Sequence, residues 1–144
     1  MAELTSKERV MRLLRKEPID IMPFFSGMGM VVMPGIKEAG FNFPTIHTSA
    51  ERMAWSAIHS ARLMNFDCVV IPYDMTMESE AMGNTISLYE ESEDILYPTI
   101  PNKMWSTLDE VVVPDDILER GRLPILKDAI KIIKEEAPEL ALGC

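Results

Sequence analysis

Apolar positions along the chain fall into blocks of two kinds, helical stripes and short unbroken runs. Val10, Leu13 and Leu14 share one face of a helix that Thr5 opens, with Glu8 three residues on closing a capping box. Pro18 stops that helix. Ile19 to Phe25 then reads as a buried strand starting at or just after Pro23, since proline donates nothing to a sheet. Pro34 to Pro44 reads as a loop. Thr48 opens the next helix with a second capping box closed by Glu51, and Ala50, Met53, Ala54, Ala57, Ile58, Ala61 and Met64 recur at helical spacing. Cys68 to Tyr73 is short, rich in β-branched residues and free of alternation, the signature of a strand covered on both faces. From Asn84 to Ile100, apolar pairs flank the acidic stretch Glu90 to Asp94, predicting a β-hairpin excursion with an acidic tip. Thr107 to Val113 is a connector and Pro114 to Glu119 a helical turn. Pro124 sits in the first turn of a last helix with the stripe Leu126, Ala129, Ile130 and Ile133. Pro138 ends it, and Leu140 begins another buried strand.

The order is helix, strand, helix, strand, hairpin, helix, strand, within one domain spanning 1–144. Helices alternating with apolar strands predict an α/β fold with parallel strands joined by right-handed crossovers. The last strand lacks a following helix to cover it, so the expectation is the front part of a larger unit whose open edge drives self-association.

Charge narrows the function classes. The chain has 144 residues, with 23 acidic against 14 basic side chains and a net charge of −9. No basic run suggests a nucleic-acid face. Between Leu63 and Asn102 there is no Lys or Arg against eight acidic residues, which reads as a solvated acidic surface. The basic residues Lys7, Arg9, Arg12, Arg15 and Lys16 read as the solvated side of the first helix. Two cysteines 76 positions apart form no disulfide framework. No signal peptide or membrane span is legible, so the expected location is the cytoplasm.

Asp74 is the leading site candidate, because ligands in parallel α/β folds bind beyond the carboxyl ends of strands. A cap on the following turn is the other use of an aspartate there. Ser26-Gly-Met-Gly-Met30 follows the first expected strand and permits close backbone approach, but lacks dinucleotide or phosphate-loop spacing. His47 and His59 read as surface or boundary histidines. Cys68 lies mid-strand, where burial alone explains it.

At Asp74 the stretch VVIPYDMTMESEAMGNTISL resembles the segment after the second barrel strand in the uroporphyrinogen decarboxylase superfamily. TSKERVMRLLRKEPIDIMPFF resembles its opening helix and first strand, particularly in the methylcobamide:thiol methyltransferases, and RLPILKDAIKIIKEE fits the same frame. The resemblance implies the N-terminal half of a (β/α)₈ barrel. It implies a methyl transfer from a methylated corrinoid, free or on a corrinoid protein, to a small thiol acceptor activated by zinc. Asp74 is then the expected catalytic carboxylate, with Ser26, Met28, Met77 and Glu78 at the substrate rim. The superfamily's His-x-Cys pair and distant Cys are not matched by His47, His59, Cys68 or Cys144, so zinc ligands are not expected in this chain. Met28, Met30, Met33, Met75, Met77 and Met82 read as core filling or as a soft mouth for a macrocycle. A tetrapyrrole decarboxylase is the alternative. It is disfavoured because no basic residue lies between Lys16 and Lys37, where that branch carries substrate-binding arginines. A non-catalytic barrel fragment is the remaining alternative.

Overall fold

The computed structural model describes residues 3–26, 29 and 31–144. Helix α1, Ser6–Leu14, starts where the capping box places it. The Glu8 N–H donates to Thr5 Oγ1 at 3.2 Å and the Thr5 N–H to Glu8 Oε2 at 2.9 Å. No strand follows over Ile19–Phe25. Pro23 supplies no donor, and the Phe24 N–H goes to the Asp67 carboxylate at 2.8 Å rather than along a ladder. Only the Phe24 carbonyl, accepting from the Asp67 N–H at 2.8 Å, keeps the strand-like contact.

The expected loop from Pro34 to Pro44 is largely helical. It contains α2, Met33–Glu38, and a 3₁₀ turn, Phe43–His47. Each has its proline in the first turn, where a missing N–H costs no hydrogen bond. At Gly35 a Cβ would overlap the His59 ring, so glycine is what lets α2 seat on the following helix. That helix, α3, is Ala50–Leu63 and is capped by Ser49 rather than Thr48, with the Arg52 N–H on Ser49 Oγ at 3.3 Å. Thr48 instead donates its hydroxyl to Glu90 of the excursion at 2.7 Å.

Strands β1, Cys68–Val70, and β2, Ala141–Gly143, pair in parallel with Cys68 opposite Ala141. Alternation divides their side chains. Val69 turns toward α3 and α5, Leu123–Glu136, joining Met53, Ala57, Leu126, Ala129 and Ile133 in the main core. Cys68 and Ala141 face the other way and pack with Val10 of α1. The crossover contains α4, Met77–Ala81, the hairpin bridge between Ser87 and Thr99, and 3₁₀ turns at Leu108–Glu110 and Ile117–Glu119.

One member of the basic cluster is not solvated. Arg9 is buried at the amino end of β1, donating to Asp67 at 2.6 Å, to Asp20 at 2.8 and 3.0 Å, and to the Leu4 carbonyl at 3.0 Å. Burial raises the Asp67 pKa, but bonds from the Phe24 N–H, Ser6 and Arg9 more than offset it, leaving the carboxyl below its ordinary value. A depressed folded pKa contributes stability that is present above the unfolded carboxylate value of about 3.9 and lost below it. Stability should therefore fall as the pH drops below about 4. The Asp67→Asn variant should show a shallower loss over the same range in a circular-dichroism acid titration.

Candidate functional site at the carboxyl end of β1

Beyond Val70 the chain runs through Ile71, Pro72 and Tyr73 to Asp74, whose side chain is only 1% exposed. Asp74 Oδ1 accepts from the Thr76 N–H at 2.8 Å and the Thr76 hydroxyl at 2.7 Å, an Asx-type turn that opens the path to α4. Its Oδ2 accepts from Arg122 Nη1 at 2.9 Å and lies 3.3 Å from His47 Nδ1. At that distance the imidazole touches the carboxylate, but its ring is turned out of hydrogen-bond geometry. The expected use of the aspartate on the following turn is seen on Oδ1, while Oδ2 is held by the chain's own Arg122.

Arg122 is the hub. Its Nε donates to Glu80 at 2.7 Å, Nη2 to the Thr76 hydroxyl at 2.8 Å, and Nη1 also to the His47 carbonyl at 3.2 Å. One guanidinium thus joins the end of β1, α4, the Phe43–His47 turn and the start of α5. Gly121 makes the approach possible. Its φ is +53°, and a side chain there would press on Glu80 and the Ala81 backbone. Desolvation raises the Asp74 pKa, while contacts from His47, Thr76 and Arg122 lower it further, so the group is a held carboxylate. Tyr73, pushed upward by burial, donates its hydroxyl to the Met53 carbonyl at 2.9 Å.

The other anticipated residues scatter. Ser26 is half-buried near Phe66 and β1. Met28 lies outside the described residues. Gly29 does provide close approach, but to the chain itself: a Cβ there would clash with the Pro72 carbonyl oxygen and crowd the Tyr73 ring. Met77 is fully buried in the core and so lines no rim, whereas Glu78 is exposed on α4. His59 stacks on Trp55 with ring centroids 4.6 Å apart. His47 departs from the surface or boundary placement expected of it, being wholly buried against Asp74. Sequence reasoning missed His47, Thr76 and Arg122 as partners of Asp74, and Glu80 as the second carboxylate on Arg122. Among the described residues no three His, Cys, Asp or Glu side chains converge to hold a metal. The zinc implied by the resemblance therefore does not fit this chain's own residues.

The sequence profile described as Uroporphyrinogen decarboxylase (URO-D) matches residues 5–143. The chain belongs to this family. Within it, the chain is 33% identical over 136 residues to methylcobamide:CoM methyltransferase MtaA of Methanosarcina barkeri, covering 94% of this chain and 40% of the relative. It is 29% identical over 137 residues to methylcobamide:CoM methyltransferase MtbA of Methanosarcina acetivorans, with 94% and 40% covered. A solved methyltransferase from Methanosarcina mazei superposes with a TM-score of 0.85 at 32% identity, covering 97% of this chain and 41% of that one. The chain thus spans about two-fifths of the length of the curated relatives it matches. The fold is α/β, the N-terminal part of the family's barrel, with parallel strands and covering helices. Among the described residues no helix is long and apolar enough to cross a membrane.

Proposed function

We propose that this chain is the N-terminal part of a cytoplasmic, corrinoid-dependent methyltransferase that moves a methyl group from a methylated corrinoid to a thiol. The observation that carries the reading is the state of the cation at the carboxyl end of β1. Arg122 is 4% exposed and committed to Asp74, Glu80, Thr76 and the His47 carbonyl. A polycarboxylate tetrapyrrole needs cationic partners for each acid it buries. Arg122 is spent on the chain's own carboxylates, and no basic residue stands between Lys16 and Lys37. A methyl group on cobalt is an uncharged electrophile and makes no such demand. The relatives' printed activity points the same way.

In such a transfer a thiolate forms the new S–C bond as the Co–C bond breaks, the electron pair stays on cobalt, and the thiol proton leaves to solvent. Asp74 serves as the fixed carboxylate that positions the strand end, with Ser26, Met28 and Glu78 as the further candidates for binding the substrate. Zinc activation of the thiol is not assigned to any residue of this chain. Self-association belongs to the same reading.

The test is a chimaera in which this chain replaces the matching segment of the M. barkeri relative. It should demethylate methylcobalamin in the presence of a small thiol, followed by the corrinoid colour change. In that chimaera Asp74→Asn should lower kcat/KM on the order of 10- to 100-fold, as loss of an orienting carboxylate does. A folded chimaera that decarboxylates a porphyrinogen and transfers no methyl would overturn the proposal.

A further inference from the structure

His47 is fully buried; its Nδ1 touches Asp74 Oδ2 at 3.3 Å out of hydrogen-bond geometry, and its Nε2 has no partner among the described residues. Burying a polar group without a partner is unfavourable, so such a group marks either strain or a second state in which it is satisfied. Its ring is enclosed edge-on by Phe43 at 5.3 Å and Tyr73 at 6.2 Å between centroids, and by Tyr97 at 5.6 Å. Asp74 and the Arg122 guanidinium close the polar side. These walls differ in how firmly they are held. Phe43 and Tyr73 belong to the main core, and Asp74 and Arg122 to the buried ion network. Tyr97 belongs to the hairpin excursion and is 48% exposed, though its ring rests on Phe43 at 4.9 Å and on His47. The hairpin is joined across its middle by the Ser87–Thr99 bridge and the Tyr89–Thr99 hydroxyl pair at 2.7 Å. Apart from the Asn84 bonds to the Ser79 carbonyl at its base, its polar tether to the body among the described residues is the exposed bond from Thr48 Oγ1 to Glu90 Oε1 at 2.7 Å. Bonds of that kind break at small cost.

We propose that residues 84–100 form a lid over the His47–Asp74 pair, and that opening it presents the His47 imidazole to a polar group of an entering ligand. The inference rests on the reading of this strand end as the site, but its test involves no methyl transfer, so the two fail separately. In the closed form the imidazole meets a charged pair it barely uses. In the open form its free nitrogen takes a hydrogen bond from, or gives one to, a ligand or water.

Diethyl pyrocarbonate acylates histidine only when the ring is accessible, and peptide mass spectrometry separates His47 from the partly exposed His59, an internal reference. In the native chain at neutral pH, His47 should react more slowly than His59, at a rate insensitive to low urea, because lid opening exposes little surface. Glu90→Ala and, independently, Thr48→Val should each raise the His47 rate about 2- to 10-fold, the equivalent of one modest hydrogen bond. The His59 rate and the melting temperature should stay unchanged. A His47 rate that ignores both variants, or that climbs with urea at the full slope of global unfolding, overturns the lid.

Discussion

Replacing Arg122 with alanine should lower stability by about 3–5 kcal/mol, the range for breaking a buried ion pair on one side. The size follows from what remains. Asp74, with a side chain 1% exposed, would lose the guanidinium that offsets its burial, and the His47 carbonyl would lose a donor. Glu80, 21% exposed, can turn toward water and should contribute less. For a domain of this size the melting temperature should fall on the order of 10 °C. The double variant Arg122→Met with Asp74→Leu should recover part of the loss, since an apolar pair of similar volume often replaces a buried salt bridge without penalty. Calorimetry on both variants checks the point. A loss below about 1 kcal/mol for Arg122→Ala, the level of a surface pair, would mean the network contributes little.

Arg9→Ala should be comparably damaging, at about 3–5 kcal/mol, from the opposite end of β1. Arg9 gathers Asp67, Asp20 and the Leu4 carbonyl, and Asp67 in turn holds the Phe24 N–H. Loss of the guanidinium would release the segment that replaces the expected first strand. Arg9→Lys should not rescue, because a single ammonium cannot reproduce the fork that grips Asp20 through two nitrogens. Urea unfolding should show a lower midpoint at unchanged slope for both variants. A lysine variant as stable as wild type would show that charge alone, not geometry, holds this end.

Features set by neighbouring residues were legible. The Thr5 capping box, the small-residue stripe of α3, the apolar run ending at Asp74 and the hairpin around an acidic tip all depend on spacings of a few positions. Contacts between distant residues left no local trace. Arg122 lies 48 positions from Asp74 and Arg9 58 from Asp67. An arginine at a turn or on a charged helix reads the same whether it meets water or a buried carboxylate. His47 was hidden for the same reason, its acidic neighbour being supplied by the strand end. Residues 34–44 carry little regular apolar pattern and so read as a loop. Proline tolerated in first turns, and glycine needed for packing on His59, made it helical instead. Near Asp74 the sequence indicated where chemistry belongs, but not how completely its oxygens are already occupied.

The pairing of β1 with β2 also bears on how the protein is made. Cys68 meets Ala141, so a ribosome making the chain must add roughly 70 further residues before β1 has this neighbour. At ~5–20 residues per second, that wait is on the order of 4–15 seconds. During it Val69, Ile71 and the apolar stripe of α3 have only local companions, because α5, which covers them, emerges just ahead of β2. The nascent polypeptide therefore passes through an interval of exposed apolar surface during which a holding chaperone competes with aggregation.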